Sequence, residues 1–263
     1  RVARLPPGGD AAAARLLVAP SKDPAEKNCA VEVYWQVGQD TLRERVLLDV
    51  IEYIMDEPIY DVLRTKEQLG YAVSCSSRLT CGVTGFSVKV QSASHSPQHI
   101  YGRVVAFLDG FRTTLQELSP DAFEENIGSL ARLKLQKDMS MVEESGRHWY
   151  EIQERRYLFN PTIQEAVLLK TIQKEEVIEA YERWMASSSA RRLVVVVVGQ
   201  AAEYAGRGTD PYVDAGEECE AQAAGLLRQE EETAAATGGA AAVRLAGPED
   251  LHRGEEAFYP NFV

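Results

Sequence analysis

Cys29-Ala30-Val31-Glu32-Val33-Tyr34-Trp35-Gln36-Val37 is a run of β-branched and aromatic residues in near alternation, and it reads as a strand. Gly38-Gln39-Asp40 breaks it. A helix follows from about Thr41 to Met55, because Leu42, Val46, Val50 and Ile54 recur at four-residue steps and Leu47 and Ile51 widen the stripe. Pro58 is expected to interrupt this helix. A second, shorter helix from about Ile59 to Gln68 is then expected to stop at Gly70, taken as its C′ residue.

Working outward, Tyr71–Leu79 and Gly82–Ser92 read as two strands joined by a turn near Thr80-Cys81, with Phe86, Val88 and Val90 on one buried face. Ser96-Pro97 opens a long helix with Ser as N-cap and Pro in the first turn, and Val104, Phe107, Phe111 and Leu115 form its stripe. Ser119-Pro120-Asp121 repeats that opening, with Phe123, Ile127, Leu130 and Leu133 expected to face inward. Further helices are expected at about 141–157, 162–170 and 174–186, and Arg192–Gly199 (RLVVVVVG) is expected as a last, fully buried strand. Upstream, Leu5-Pro6-Pro7-Gly8-Gly9 reads as a turn-rich loop and Leu16–Val18 as a short strand. This order of elements predicts an α/β or α+β two-layer sandwich, with helices on one face of a mixed, mostly antiparallel sheet.

The chain has 263 residues, 45% hydrophobic and 26% charged, which suits one or two domains with a substantial core. Its net charge of −12 argues against nucleic-acid binding, which needs a basic face. No apolar run approaches the roughly 18–20 residues that span a bilayer, so no membrane partner is expected. Residue 1 is Arg and no signal sequence follows, so the chain is expected to be part of something longer. Cys29, Cys75, Cys81 and Cys219 show no C-x-x-C spacing. Cys75 and Cys81 could meet across a hairpin, although free thiols in a reducing, cytoplasmic setting are the expected state. Residues 214–243 hold seven acids against Arg228 and read as a flexible acidic Ala/Glu-rich insertion. The domain limits are therefore expected at 1–27 (loop and short strand), 28–200 (the folded domain), 201–243 (the acidic segment) and 244–263, a tail that docks through Phe258, Tyr259, Pro260 and Phe262.

Four histidines are present, and His95-Ser96-Pro97-Gln98-His99 superficially matches an inverted zinc motif, with Glu175 as a conceivable third ligand. Gln98 stands where a general-base Glu would be, and Pro97 in the first helical turn puts His95 outside the helix, so capping or surface histidines are the expected reading. His148 is expected to pack between helices. There is no G-x-S-x-G, no activated cysteine and no phosphate-binding glycine loop. The remaining candidate is Leu63-Arg64-Thr65-Lys66-Glu67-Gln68-Leu69-Gly70-Tyr71, a helix end, a glycine stop and the start of a strand. Arg64 and Tyr71 flank the junction and both donate hydrogen bonds from rigid planar groups, so they could grip a carbonyl or steady charge on it. The same residues also make an ordinary amphipathic helix end, with Arg64 solvated and Tyr71 half buried.

LRTKEQLGY followed by an apolar strand resembles the signature in the C-terminal half of M16 metallopeptidases of the insulin-degrading enzyme, nardilysin and pitrilysin type. Asn28–Tyr34, Val90-Gln91-Ser92, the helix near His99, Trp149-Glu151-Ile152, Leu168–Glu175 and the tail Phe258-Tyr259-Pro260 follow the family in the same order. Segment 214–243 does not. The resemblance implies the fourth of four similar domains in two halves that close like a clamshell. It implies that Arg64 and Tyr71 reach the substrate backbone at the scissile bond, with Tyr71 steadying the tetrahedral intermediate. Zinc would be held by the N-terminal half, leaving no metal ligand in this chain. The chain alone would then be inactive, and its partners would be peptide substrates and that other half. A binding or assembly module of an inactive family member is the alternative.

Overall fold

The computed structural model describes residues 4–5, 14–154, 156–187, 189–203, 221–229, 232 and 243–244. Strands β1 (Ala14–Pro20), β2 (Cys29–Gln39), β3 (Ala72–Thr80), β4 (Val83–Ser92), β5 (Arg192–Val198) and the two-residue β6 (Val243–Arg244) form one sheet in the order β3-β4-β2-β5-β1-β6. The β3/β4, β4/β2 and β2/β5 pairs are antiparallel, whereas β5/β1 and β1/β6 are parallel. The helices are α1 (Leu42–Ile59), α2 (Pro97–Glu117), α3 (Pro120–Lys134), α4 (Met141–Gln153), α5 (Pro161–Leu169) and α6 (Lys174–Tyr181).

Register explains the core. Val31, Val33 and Trp35 of β2 lie opposite Val90, Val88 and Phe86 of β4, and Val31 and Val33 also lie opposite Val196 and Val194 of β5. All of these are buried. They share one sheet face because side chains alternate along a strand. They join Val46, Val50 and Ile51 of α1 and Val104 and Phe111 of α2 in a single cluster. Each large side chain removed from water in this way is worth about 1.5–3 kcal/mol.

Four local expectations are corrected. Pro58 does not interrupt α1 but lies inside it, and the helical path continues through Tyr60–Lys66 with wider, π-type bonding that ends with Glu67 N donating to Val62 O at 2.9 Å. The left-handed residue after this helix is Gln68 (φ 53°), not Gly70. Leu133 is exposed, while its neighbour Lys134 turns inward to Asp49 and Glu165. β5 alternates rather than being fully buried: Val194, Val196 and Val198 are inside, whereas Val197 faces out. Helices cover only one face of the sheet there, so half of each strand is left uncovered.

The caps follow the sequence reading. Ser96 and Ser119 each accept a hydrogen bond from the backbone three residues on, and Pro97 and Pro120 open their helices; Ser140, not read as a cap from the sequence, does the same for α4. Cys81 (φ 48°) and Gly82 (φ 76°) make the two-residue turn between Thr80 and Val83, the hairpin geometry with both central residues left-handed. Cys81 is exposed in that turn while Cys75 is buried opposite Val88, and both are free thiols, so the two do not meet across the hairpin. Within the segment expected to be a flexible insertion, residues 221–229 are helical, and Ala223 and Leu226 enter the core. The expected tail contacts of Phe258, Tyr259, Pro260 and Phe262 lie outside the described residues. Among the described residues, no helix is long and apolar enough to cross a membrane.

A charged chain ties these layers together. Arg45 of α1 pairs with Asp40 and with Glu165 of α5, and Lys134 of α3 bridges Glu165 (2.9 Å) and Asp49 (2.6 Å). Lys134 and Arg45 together hold the Glu165 carboxyl below its usual range despite its burial. Among the described residues Asp49 pairs with Lys134 alone, and burial pushes its pKa up to about 6 against that attraction. An acid whose pKa is raised on folding is favoured when protonated. Its contribution is therefore complete below its ordinary value near 3.8 and is lost as pH rises through about 6. Asp49→Asn should remove that loss. Unfolding free energies measured at pH 4 and pH 7.5 should differ between wild type and variant by up to about 3 kcal/mol, the linkage value of such a shift. An unchanged difference would show that Asp49 is not strained by burial.

Candidate functional site

The junction between α1 and β3 positions every side chain of the candidate site. Leu63 and Leu69 are fully buried and anchor its two ends. Leu69 N donates to Leu63 O at 3.0 Å across the left-handed Gln68, a closure that satisfies a terminal helix carbonyl. Gly70 then passes against β4 so closely that a β-carbon there would sit 1.9 Å from the carbonyl oxygen of Gln91. The glycine is required by close approach, not by a positive φ. Tyr71 is thereby set at the lip of the sheet, one residue before β3.

Arg64 and Tyr71 meet. The Arg64 Nε–H donates to Tyr71 O at 3.2 Å, and the guanidinium lies 5.5 Å from the Tyr71 ring centroid and 4.9 Å from that of Tyr60. Two aromatic faces so hold one cation, each worth about 0.5–1 kcal/mol at an exposed site. Tyr71 is 87% exposed, so it is not the half-buried helix-end tyrosine that the plainer reading expected. Among the described residues the two terminal amino groups of Arg64 make no hydrogen bond, so its donor fork stays available. The site therefore offers a phenol O–H and a guanidinium fork on a junction that cannot slide along β4.

A second layer supports this pair. Arg103 of α2 grips Glu67 with two bonds of 2.8 and 2.5 Å, and this hydrogen bonding, more than Coulomb attraction, keeps the Glu67 carboxyl below its usual range. His95 Nδ1 lies 3.1 Å from Leu69 O and 3.0 Å from Ser94 Oγ. His95 and His99 stack 5.1 Å apart and 18° from parallel, which does not aim their nitrogens at one point. Among the described residues no group of three or more His, Cys, Asp or Glu could hold a metal, and Glu175 lies in the first turn of α6, apart from the pair. Among the described residues, His95, His99 and Glu175 therefore do not form a zinc site. His148 packs beside Phe159, ring centroids 5.9 Å apart.

Residues 50–149 match the family model described as PQQ synthase PqqF-like, C-terminal lobe domain 4. A nardilysin-like protein of Arabidopsis thaliana is 40% identical over 184 residues, covering 68% of this chain and 18% of that protein. Human insulin-degrading enzyme is 32% identical over 176 residues, covering 67% and 17%. The chain belongs to the M16 peptidase family and corresponds to its C-terminal domain. Its fold agrees: it superposes on pitrilysin with a TM-score of 0.65 at 16% identity, covering 83% of this chain and 23% of that one. The chain therefore spans under a fifth of the curated M16 relatives it matches here.

The matched M16 segment contains Arg64, Tyr71 and both supporting residues, Glu67 and Arg103. Sequence reading overlooked Tyr60 and Arg103. Tyr60 stands four residues before Arg64, the spacing that stacks two side chains on one helix face, and this signal was legible. Arg103 lies 36 residues from Glu67 and is joined to it only by tertiary folding. Gly70→Ala should force the junction off Gln91 and cost about 1–3 kcal/mol, as overpacking against a fixed neighbour does. Thermal unfolding checks this, and an unchanged melting temperature would mean that the close approach is not maintained.

Proposed function

We propose that this domain contacts substrate and closes the chamber in a zinc endopeptidase of the M16 family, without carrying the zinc itself. One observation supports it most: an exposed phenol and two Arg64 amino groups that make no hydrogen bond among the described residues meet at a single, closely seated junction. The Arg64 fork would donate to a carbonyl of an extended peptide. The Tyr71 O–H would donate to the oxygen of the scissile carbonyl as negative charge builds there. Both donors are preorganised, which makes such contacts worth more in the transition state than flexible ones. The family's zinc would be supplied by the other half of the parent protein. The free thiols of Cys75 and Cys81 suit a reducing compartment such as the cytoplasm.

A second reading draws on one structural neighbour, described as a peptidase M16 inactive domain from Pseudomonas fluorescens, which superposes with a TM-score of 0.51. In it, the chain would be a binding module of an inactive parent.

Kinetics on the full-length parent separate the two. Tyr71→Phe should lower kcat about 10²–10³-fold, the usual effect of deleting one oxyanion donor, with little change in KM. Arg64→Ala should raise KM. This chain alone should not cleave a quenched fluorescent peptide, whereas adding the upstream half should restore cleavage. An unchanged kcat for Tyr71→Phe would overturn the assignment of Tyr71, and a parent with no activity would favour the binding module.

A further inference from the structure

Helix 221–229, the ordered element within the acidic segment, is seated on the first two turns of α2. Ala223 and Leu226, three residues apart on one face, are buried in the core. The seat is reciprocal. A β-carbon on Gly225 would come 2.7 Å from the side-chain oxygen of Gln98, and one on Gly102 would come 2.5 Å from the side-chain amide of Gln229. Gln98 and Gly102 stand four residues apart on α2, and Gly225 and Gln229 stand four apart on the other helix. Each helix therefore sets a glycine opposite the other's glutamine, and the missing side chains allow the close approach. With its amide turned to satisfy both partners, Gln229 donates to Gln98 O at 3.2 Å and accepts from Gly102 N at 3.3 Å. It is thus clamped to the α2 backbone at the residue before Arg103.

We infer that helix 221–229 is a clasp that positions the Arg64–Tyr71 junction from behind, by holding α2 where Arg103 can grip Glu67. The contacts form one chain. Gln229 and Gly225 meet Gln98 and Gly102, and Arg103 holds Glu67 by two bonds. Glu67 N and Leu69 N then close the helix end on Val62 O and Leu63 O, just before Tyr71. A two-point grip of this kind is geometrically exacting, so it depends on where its helix sits. The first turn of a helix is also the turn most ready to fray, because its N–H groups lack partners within the helix. Ser96 satisfies one of them, at His99 N, and the clasp holds the same turn from outside. Apolar packing accounts for Ala223 and Leu226, but not for an amide laid on the α2 backbone beside Arg103. Gln229 is therefore a positioning residue, acting on the junction through Arg103.

The inference rests on Arg64 and Tyr71 being the substrate pair, but its test involves no substrate, so either can fail without the other. Residue-resolved amide hydrogen exchange on this chain is the measurement. The Leu69 amide, bonded to Leu63 O, reports the junction, and the Val88 amide, in a strand paired on both sides, reports the fold. Gln229→Ala removes the clamp and leaves Ala223 and Leu226 in place. It should speed Leu69 exchange about threefold, the scale of one neutral hydrogen bond lost, with Val88 unchanged. Gly102→Ala should do the same, because it displaces the Gln229 amide while favouring helix in α2. Arg103→Ala should speed Leu69 exchange about tenfold, the scale of a bond to a charged group. Adding Gln229→Ala to Arg103→Ala should change nothing more, since both break one chain of contacts. Unchanged Leu69 exchange in Gln229→Ala would overturn the inference, and so would additive effects of the two substitutions.

Discussion

Burial of one face of the sheet under α1 and α2 is the constraint from which the rest follows. β2 sits between β4 and β5, and Val31, Val33 and Trp35 are covered on that face. With helices on one side only, β5 alternates, and this is why it shows Val197 to solvent although Val194–Val198 are all valine. The one-sided layer also leaves the charged residues of the helices few places to go. Asp40, Arg45, Glu165, Lys134 and Asp49 are brought together between helices, where each cation serves more than one carboxylate. Such a network fixes the angles between α1, α3 and α5 more than it adds stability, because desolvation offsets most of the attraction.

The junction at Gly70 links this architecture to chemistry. A helix end with a left-handed Gln68 and a glycine pressed on Gln91 leaves little freedom in where Tyr71 emerges. Arg64 is then held by two rings and one carbonyl, so a long side chain that would otherwise sample many rotamers is confined. Order is imposed on the donors before any peptide arrives. The Glu67–Arg103 pair extends this support to α2.

Much of the fold was legible before any coordinates. Alternation in Cys29–Val37 and Val83–Ser92, the Ser-Pro helix openings at 96 and 119, and four-residue steps in α1 all specify local structure through the residues themselves. The misreadings share a cause. Pro58 and Gly70 are usually punctuation, but here tertiary packing carried the helix through the first and used the second for close contact. Leu133 follows helical periodicity faithfully, yet periodicity says only that a face is apolar and not what it faces.

The sequence by itself determined the elements, their order, the one-sided apolar pattern and the candidates Arg64 and Tyr71, because these depend on side-chain period and on residues adjacent along the chain. Only the tertiary structure decided that Tyr60 and Tyr71 enclose Arg64, that Arg103 braces Glu67, and that His95 and His99 do not converge as metal ligands. Glu67 and Arg103 are 36 residues apart, whereas the other relations join near neighbours whose spacing alone does not say how their side chains meet. They depend on how helices and strands pack in three dimensions, which local propensity does not encode.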